Sequence, residues 1–169
     1  MAKQQAGKPI SALENIGESS RKIIDSLSDI VWTINPENDD FEKVIERMKS
    51  FAYQIMKAKK IESVFRSDPA LNKLKLPMEV RKNFYLIFKE ATNNLVKYSN
   101  CKRASFHITF ENKNITLTIR DNGKGFNINE QSQGNGIKNM NRRAVEINAK
   151  LTIESGSEKG TTIELILKT

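Results

Sequence analysis

Apolar residues, with one serine among them, fall at Leu13, Ile16, Ser20, Ile23, Leu27, Ile30 and Ile34. Steps that alternate between three and four residues predict a helix with a bundle or coiled-coil seam, or one amphipathic helix lying on its own domain. Asn35-Pro36 breaks it, because proline cannot donate to the helical ladder and disfavours helix in the residue before it. A second helix is predicted from Asp39, with Asp39 and Glu42 as an acidic capping box. Phe41, Val44, Ile45, Met48, Phe51, Ala52, Ile55 and Met56 form its buried face. Ile61–Ser67 reads as a strand closed by Asp68-Pro69. Pro77 then stands where a long helix can begin, carrying Val80, Phe84, Ile87, Phe88, Ala91 and Leu95 and ending near Ser99.

Beyond residue 100 the period changes to two. Ala104, Phe106, Ile108 and Phe110 alternate with polar residues, and Ile115, Leu117 and Ile119 follow a turn at Asn112-Lys113-Asn114. Two such segments around a polar turn predict a hairpin with one buried face. A short helix from about Ile137 to Asn148 and two further strands, joined by a turn at residues 156–160, complete the chain. The order indicates an α+β fold: a sandwich with a mostly antiparallel mixed sheet covered by helices on one face.

Four polar features interrupt this pattern. Glu90 and Asn94 are one helical turn apart, with Lys97 three residues further on. A carboxylate, an amide oxygen and an ammonium on one stripe suit Mg²⁺ and phosphate, since Mg²⁺ takes oxygen ligands and shares its shell with phosphates and water. An ordinary solvated helix face has the same composition. Asp121-Asn122-Gly123-Lys124-Gly125-Phe126 follows a strand directly. An acid at a strand end can accept a hydrogen bond from an exocyclic amine, and glycine lets backbone approach a flat ring. Gly134-Asn135-Gly136 opens the last helix, where amides and helix dipole attract an anion. Gly160-Thr161 begins the final strand.

Taken in order, FKEATNNLVKYS, DNGKGF, GNGIKNM and GTTIEL resemble the N box, two glycine boxes and terminal GT motif of the Bergerat ATP-binding fold. That fold is shared by sensor histidine kinases, gyrase, certain chaperones and mismatch-repair ATPases. The resemblance covers roughly residues 60–169. The stretch SLSDIVWTINPENDDFEKVIERM also resembles the segment before this domain in sensor histidine kinases with a short ATP lid. It implies a division into a flexible start (1–11), the second helix of a truncated dimerisation hairpin (12–35) and a histidine-kinase-like ATPase domain (36–169). It further implies ATP and Mg²⁺ as cofactors. Asn94 is the implied Mg²⁺ ligand and Glu90 the catalytic polarising or base carboxylate. Lys97 would contact phosphate, and Tyr98 would line the nucleotide site. Asp121 would bind the adenine amine, with Thr161 at the same edge. Gly123 and Gly125 would admit the base, Gly134 and Gly136 would cradle phosphates, and the lid would lie between Phe126 and Gly134.

A sensor kinase phosphorylates a histidine and passes the phosphate to a response regulator receiver domain, usually as a homodimer. This sequence has one histidine, His107, on the polar side of a strand inside the ATP-binding region. The resemblance therefore implies a kinase fragment without its phosphoacceptor, and autophosphorylation of this chain is not expected. The alternative within the same fold is a stand-alone serine kinase and anti-sigma factor. The net charge of +8 raises a third class, a nucleic-acid-binding module. The excess is spread along the chain with no Lys/Arg run longer than two, so no nucleic acid is expected as partner. A single cysteine, Cys101, excludes an internal disulfide framework. No apolar run approaches a membrane span or signal peptide core. The expected location is cytoplasmic, with any membrane link through upstream segments.

Overall fold

The structure, a computed structural model, describes residues 40–127 and 135–169 continuously, together with residues 17, 20, 24, 27–29, 31, 32 and 35. Alternation in the second half produces the sheet. Among the described residues five strands, β1 (Glu62–Ser67), β2 (Arg103–Glu111), β3 (Asn114–Asp121), β4 (Ala149–Gly156) and β5 (Gly160–Lys168), lie in the order β1-β2-β3-β5-β4. β1 pairs parallel to β2, and the remaining pairs are antiparallel. Phe106, Ile108, Ile115, Leu117, Ile119, Leu165 and Leu167 are buried on the inner face. Their neighbours Ser105, His107, Thr116, Thr118 and Glu164 are half-buried on the other. One buried face and one open face make this a two-layer α+β sandwich.

Among the described residues three helices cover the inner face: α1 (Phe41–Ala58), α2 (Met78–Asn94) and α3 (Asn135–Glu146). The stripe expected on α1 is the buried one, with Phe41, Val44, Met48, Ala52 and Met56 all within 2 % exposure. Phe88 of α2 is the hub of the layer contact. Its ring meets Phe51 of α1, Phe65 of β1 and Phe106 of β2 edge-on, at centroid distances of 6.2, 6.3 and 5.8 Å. Offset and edge-on aromatic pairs add to their area burial because the positive ring edge meets a negative face.

Local differences from the expected elements have physical reasons. The capping box at Asp39 and Glu42 does not start α1. Asp39 lies outside the described residues, and the N-cap is Asp40, whose side chain makes no capping bond. Glu42 instead accepts a bond from Asn72 Nδ2 at 3.1 Å. Asp40 bridges Lys75, and the Phe41 N–H donates to the Leu74 carbonyl at 3.2 Å, so backbone satisfies the first exposed amide. The β2–β3 turn is tighter than expected. Asn112 and Lys113 alone form it, with φ of 49° and 61°, the backbone signature of a two-residue type I′ hairpin. α3 starts at Asn135 and ends at Glu146, before Asn148 takes a left-handed φ of 52°.

Upstream of α1, residues 17, 20, 24, 27–29, 31 and 32 are helical and Asn35 is not. Of the predicted seam, Leu13, Ile16, Ile23, Ile30 and Ile34 lie outside the described residues. Leu27 of the seam is exposed, as are Ile24 and Val31. Among the described upstream residues, the one buried is Asp29, off the seam.

Candidate functional site

The end of α2, the β3–α3 connection and the first residues of α3 and β5 converge on a cavity of about 580 Å³. Glu90 and Asn94 point into it from α2 because their turn faces away from the aromatic core. After Asn94 the helix widens into a π-helical turn, Leu95–Ser99, closed by Asn100 at φ 57°. The wider turn carries Lys97 and Tyr98 outward, where both are exposed at the cavity rim. Short π-helical insertions of this kind recur at functional sites because they re-aim side chains by an extra residue.

α3 begins against the same pair of side chains. A methyl group at Gly136 would stand 2.3 Å from Glu90 Oε1 and 3.2 Å from Asn94 Nδ2, so glycine leaves the floor of this corner open. The first amides of a helix have no acceptor within it, so a helix start beside an acid and an amide suits an anion neutralised by a cation. Gly134, expected to cradle phosphates, lies outside the described residues, as does most of the expected lid.

The opposite end of the cavity is built on the sheet. Asp121, the last residue of β3, is 5 % exposed and stands across from Thr161 of β5 in register. Its Oδ1 accepts the Gly123 N–H at 2.7 Å. Burial pushes the Asp121 carboxyl above the ordinary carboxylate range, and amide bonds from Gly123 and Thr161 oppose that rise. Ser155 Oγ lies 3.0 Å from Thr161 Oγ1 and accepts the Phe126 N–H at 2.9 Å. Ile119, Met140, Ile153 and Ile163 supply an apolar lining next to Asp121.

The loop after Asp121 is fixed from both sides. The Lys124 N–H donates to the Ser99 carbonyl at 2.8 Å, and the Glu158 N–H donates to the Lys124 carbonyl at 2.7 Å. Asn122 Oδ1 accepts from the amides of Lys102 and Arg103 at 3.1 and 2.8 Å. Gly125 adopts φ +61°, and a Cβ there would meet the Gly156 carbonyl at 2.0 Å. Only glycine takes that conformation and contact together.

Of the residues expected at the site, Glu90, Asn94, Lys97, Tyr98, Asp121, Gly125, Gly136 and Thr161 line this one cavity. Gly123 does not line it. A Cβ on Gly123 would meet the Ser99 carbonyl at 2.1 Å, so this glycine admits the end of the π-helical turn and aims its amide at Asp121. Lys124, Phe126, Asn135 and Ile137 also line the cavity and were not singled out from sequence, although all four stand within or beside the glycine motifs. A further link was invisible in sequence. Arg143 of α3 donates to Asn83 Oδ1 at 3.1 Å, and fully buried Asn83 donates to Glu146 Oε2 at 3.2 Å, bolting α3 to α2. Burial, with Arg142 alongside, lowers the pKa of Arg143. Cys101 is buried, and burial pushes its thiol up, away from reactivity.

A two-layer sandwich with a cavity between an acid-amide helix face and a buried strand-end aspartate is the architecture of an ATPase class. The chain belongs to the family described as "Histidine kinase-, DNA gyrase B-, and HSP90-like ATPase", which matches residues 79–169. Within that class it is similar to sensor kinases. It is 37% identical over 92 residues to sensor protein VraS of Staphylococcus aureus and equally to that of Staphylococcus haemolyticus, covering 54% of this chain and 26% of each relative. The chain thus spans about a quarter of the length of these relatives. In fold it is similar to the histidine kinase AdeS of Acinetobacter baumannii (TM-score 0.68, 13% identity, 98% of this chain and 86% of that one). It is also similar to the histidine kinase domain of a blue-light activated kinase of Erythrobacter litoralis (TM-score 0.63, 16% identity, 94% and 83%). No helix among the described residues is long and apolar enough to cross a membrane.

Proposed function

We propose that this chain is the catalytic, Mg-ATP-binding part of a sensor histidine kinase. It would phosphorylate a histidine that lies outside this chain, for relay to a response regulator receiver domain. The observation that carries the reading is the buried, amide-pinned Asp121 at one end of a cavity whose other end holds Glu90 and Asn94. Asp121 accepts the exocyclic amine of adenine, with Thr161 at the same edge and the apolar lining against the ring. The amides at the start of α3, Gly136 among them, and Lys97 take the phosphates, while Tyr98 closes the rim.

The donor set at the other end fits Mg²⁺: one amide oxygen and one carboxylate beside an anion-binding helix start, leaving most of the metal shell to phosphate and water. Asn94 is the residue that would hold the ion, and Mg²⁺ supplies charge neutralisation on the phosphates. Glu90 is within reach of the same corner and acts on the incoming nucleophile as polarising or base carboxylate. Transfer requires an acceptor held in line with the terminal phosphate. The one histidine here, His107, is half-buried on the open sheet face, so it does not serve as that acceptor.

Nucleotide affinity carries a pH signature of this arrangement. The adenine amine donates to the ionised carboxylate, whose pKa burial has raised. Binding therefore strengthens as pH rises towards that pKa and levels off above it. Calorimetric titration of a non-hydrolysable ATP analogue with Mg²⁺, over about 4 pH units upward from the ordinary carboxylate pKa of about 4, tests this. The wild-type profile should show an acid limb that Asp121→Asn lacks. The same limb in both proteins, or no binding to the wild type, would overturn the assignment.

A further inference from the structure

Asp29 carries a carboxylate and yet is 4 % exposed. Three donors from two helices of the ATP-binding domain converge on it. Lys89 of α2 pairs with Oδ2, Arg47 of α1 donates to Oδ1 at 2.9 Å, and the Tyr85 hydroxyl of α2 donates to the same oxygen at 3.0 Å. Three residues on, Trp32 presents its ring to the Arg47 guanidinium, 4.5 Å from the ring centroid. Asp29 and Trp32 thus share the side of the upstream helical stretch that meets the domain, whereas Ile24, Leu27 and Val31 are exposed.

We propose that Asp29 is the pin of a charge-clamped joint that locks the upstream helical stretch onto the ATP-binding domain, with Arg47, Tyr85 and Lys89 as its socket. The joint acts as a lock and not as a soft contact. Withdrawing the pin takes the shared anion away from two neighbouring cations at once and removes the acceptor from a buried hydroxyl, so partial opening has little to recommend it. Burial and the Asp29 carboxylate already push the Tyr85 hydroxyl up to about 12, so at neutral pH it stays protonated and able to donate. For Arg47, burial opposes the charge, while the bonds to Asp29 and Tyr85 outweigh it and raise the pKa. Arg47 thus keeps its charge and Tyr85 its proton at neutral pH, and the lock is released by moving the upstream stretch.

The joint stands apart from the nucleotide cavity, whose lining includes none of these residues. Its test is therefore separable from that of nucleotide binding. Trp32 is the only tryptophan of the chain, so intrinsic fluorescence reports the joint directly. In Asp29→Asn the emission should shift to the red and iodide quenching should strengthen. The far-UV circular dichroism should keep its shape, and the affinity for a Mg²⁺–ATP analogue should stay within about twofold of wild type, as for a change that shares no partner with the cavity. Asp29→Glu, which restores the anion, should return most of the fluorescence signal. If Asp29→Asn loses its secondary structure, Tyr85→Phe, which removes one hydroxyl from the same oxygen, is read by the same quenching assay and should give a smaller rise. Unchanged Trp32 emission and quenching in the folded variant, or no recovery in Asp29→Glu, would overturn the lock.

Discussion

Asp121→Asn is expected to lower the affinity for a Mg²⁺–ATP analogue by about 100-fold while leaving the protein folded, a loss within the range for a hydrogen bond to a charged group. Asparagine keeps an oxygen for the Gly123 N–H, now 2.7 Å away, so the loop stays pinned. Its second terminal atom becomes an amino group that opposes the adenine amine donor to donor. Stability should move the other way. An acid whose pKa is raised in the folded state costs stability once pH climbs above that value, and the cost vanishes at pH below the unfolded pKa. Burial raises the Asp121 pKa, so at neutral pH the charge is a burden that asparagine lifts. Thermal melts should therefore show an equal or higher Tm in Asp121→Asn than in wild type. A lower Tm together with unchanged nucleotide affinity would mean that the carboxylate serves the fold and not the ligand.

Phe88→Ala carries the largest expected loss of stability. The side chain is fully buried and edge-packed on Phe51, Phe65 and Phe106, which belong to α1, β1 and β2. Those three neighbours sit on different elements, so they cannot collapse together into the space left behind. Truncation should cost about 3 to 5 kcal/mol, a fall in Tm on the order of 10 °C for a domain of this size. Phe88 also lies two residues before Glu90, so the same variant loosens the helix that carries the acid-amide face. Phe88→Leu should recover much of the stability in denaturant titration. Equal losses for leucine and alanine would show that ring geometry and not buried volume holds the layers together.

Period-two alternation from Ala104 to Phe110 and from Ile115 to Ile119 placed the strands, because one face of β2 and β3 meets helices and the other does not. The stripe on α1 was equally legible, since a helix buried along one side writes its 3.6-residue period into the sequence. The cavity could be read because its polar residues interrupt those patterns: Asp121 ends a strand, Gly136 opens a helix, and Glu90 and Asn94 share one turn. Gly123 shows the limit of that reading. The DNGKGF motif marks a close backbone approach, but what approaches Gly123 is the Ser99 carbonyl, and only the fold brings the two together.

Long-range polar contacts left no local trace. Asp29 meets Arg47, Tyr85 and Lys89 at separations of 18, 56 and 60 residues, and nothing in the sequence pairs them. The seam through Leu27 drew attention to the opposite side of the upstream stretch. Asn83 and Arg143 likewise sit in amphipathic helices as ordinary polar residues until α2 and α3 are packed together. The start of α1 depends on a distant partner in the same way. A capping box is a local remedy for open amides, and here Leu74 and Lys75 from a distant turn supply the partner.

The most direct test of nucleotide binding at this cavity is an NMR titration of the unaltered chain with a non-hydrolysable ATP analogue and Mg²⁺. Saturable shifts are predicted at the amides of Gly123, Gly125, Gly136 and Thr161, with Ser105, Thr118 and Glu164 on the open sheet face unmoved. Shifts centred on that open face, or none at all, would contradict it.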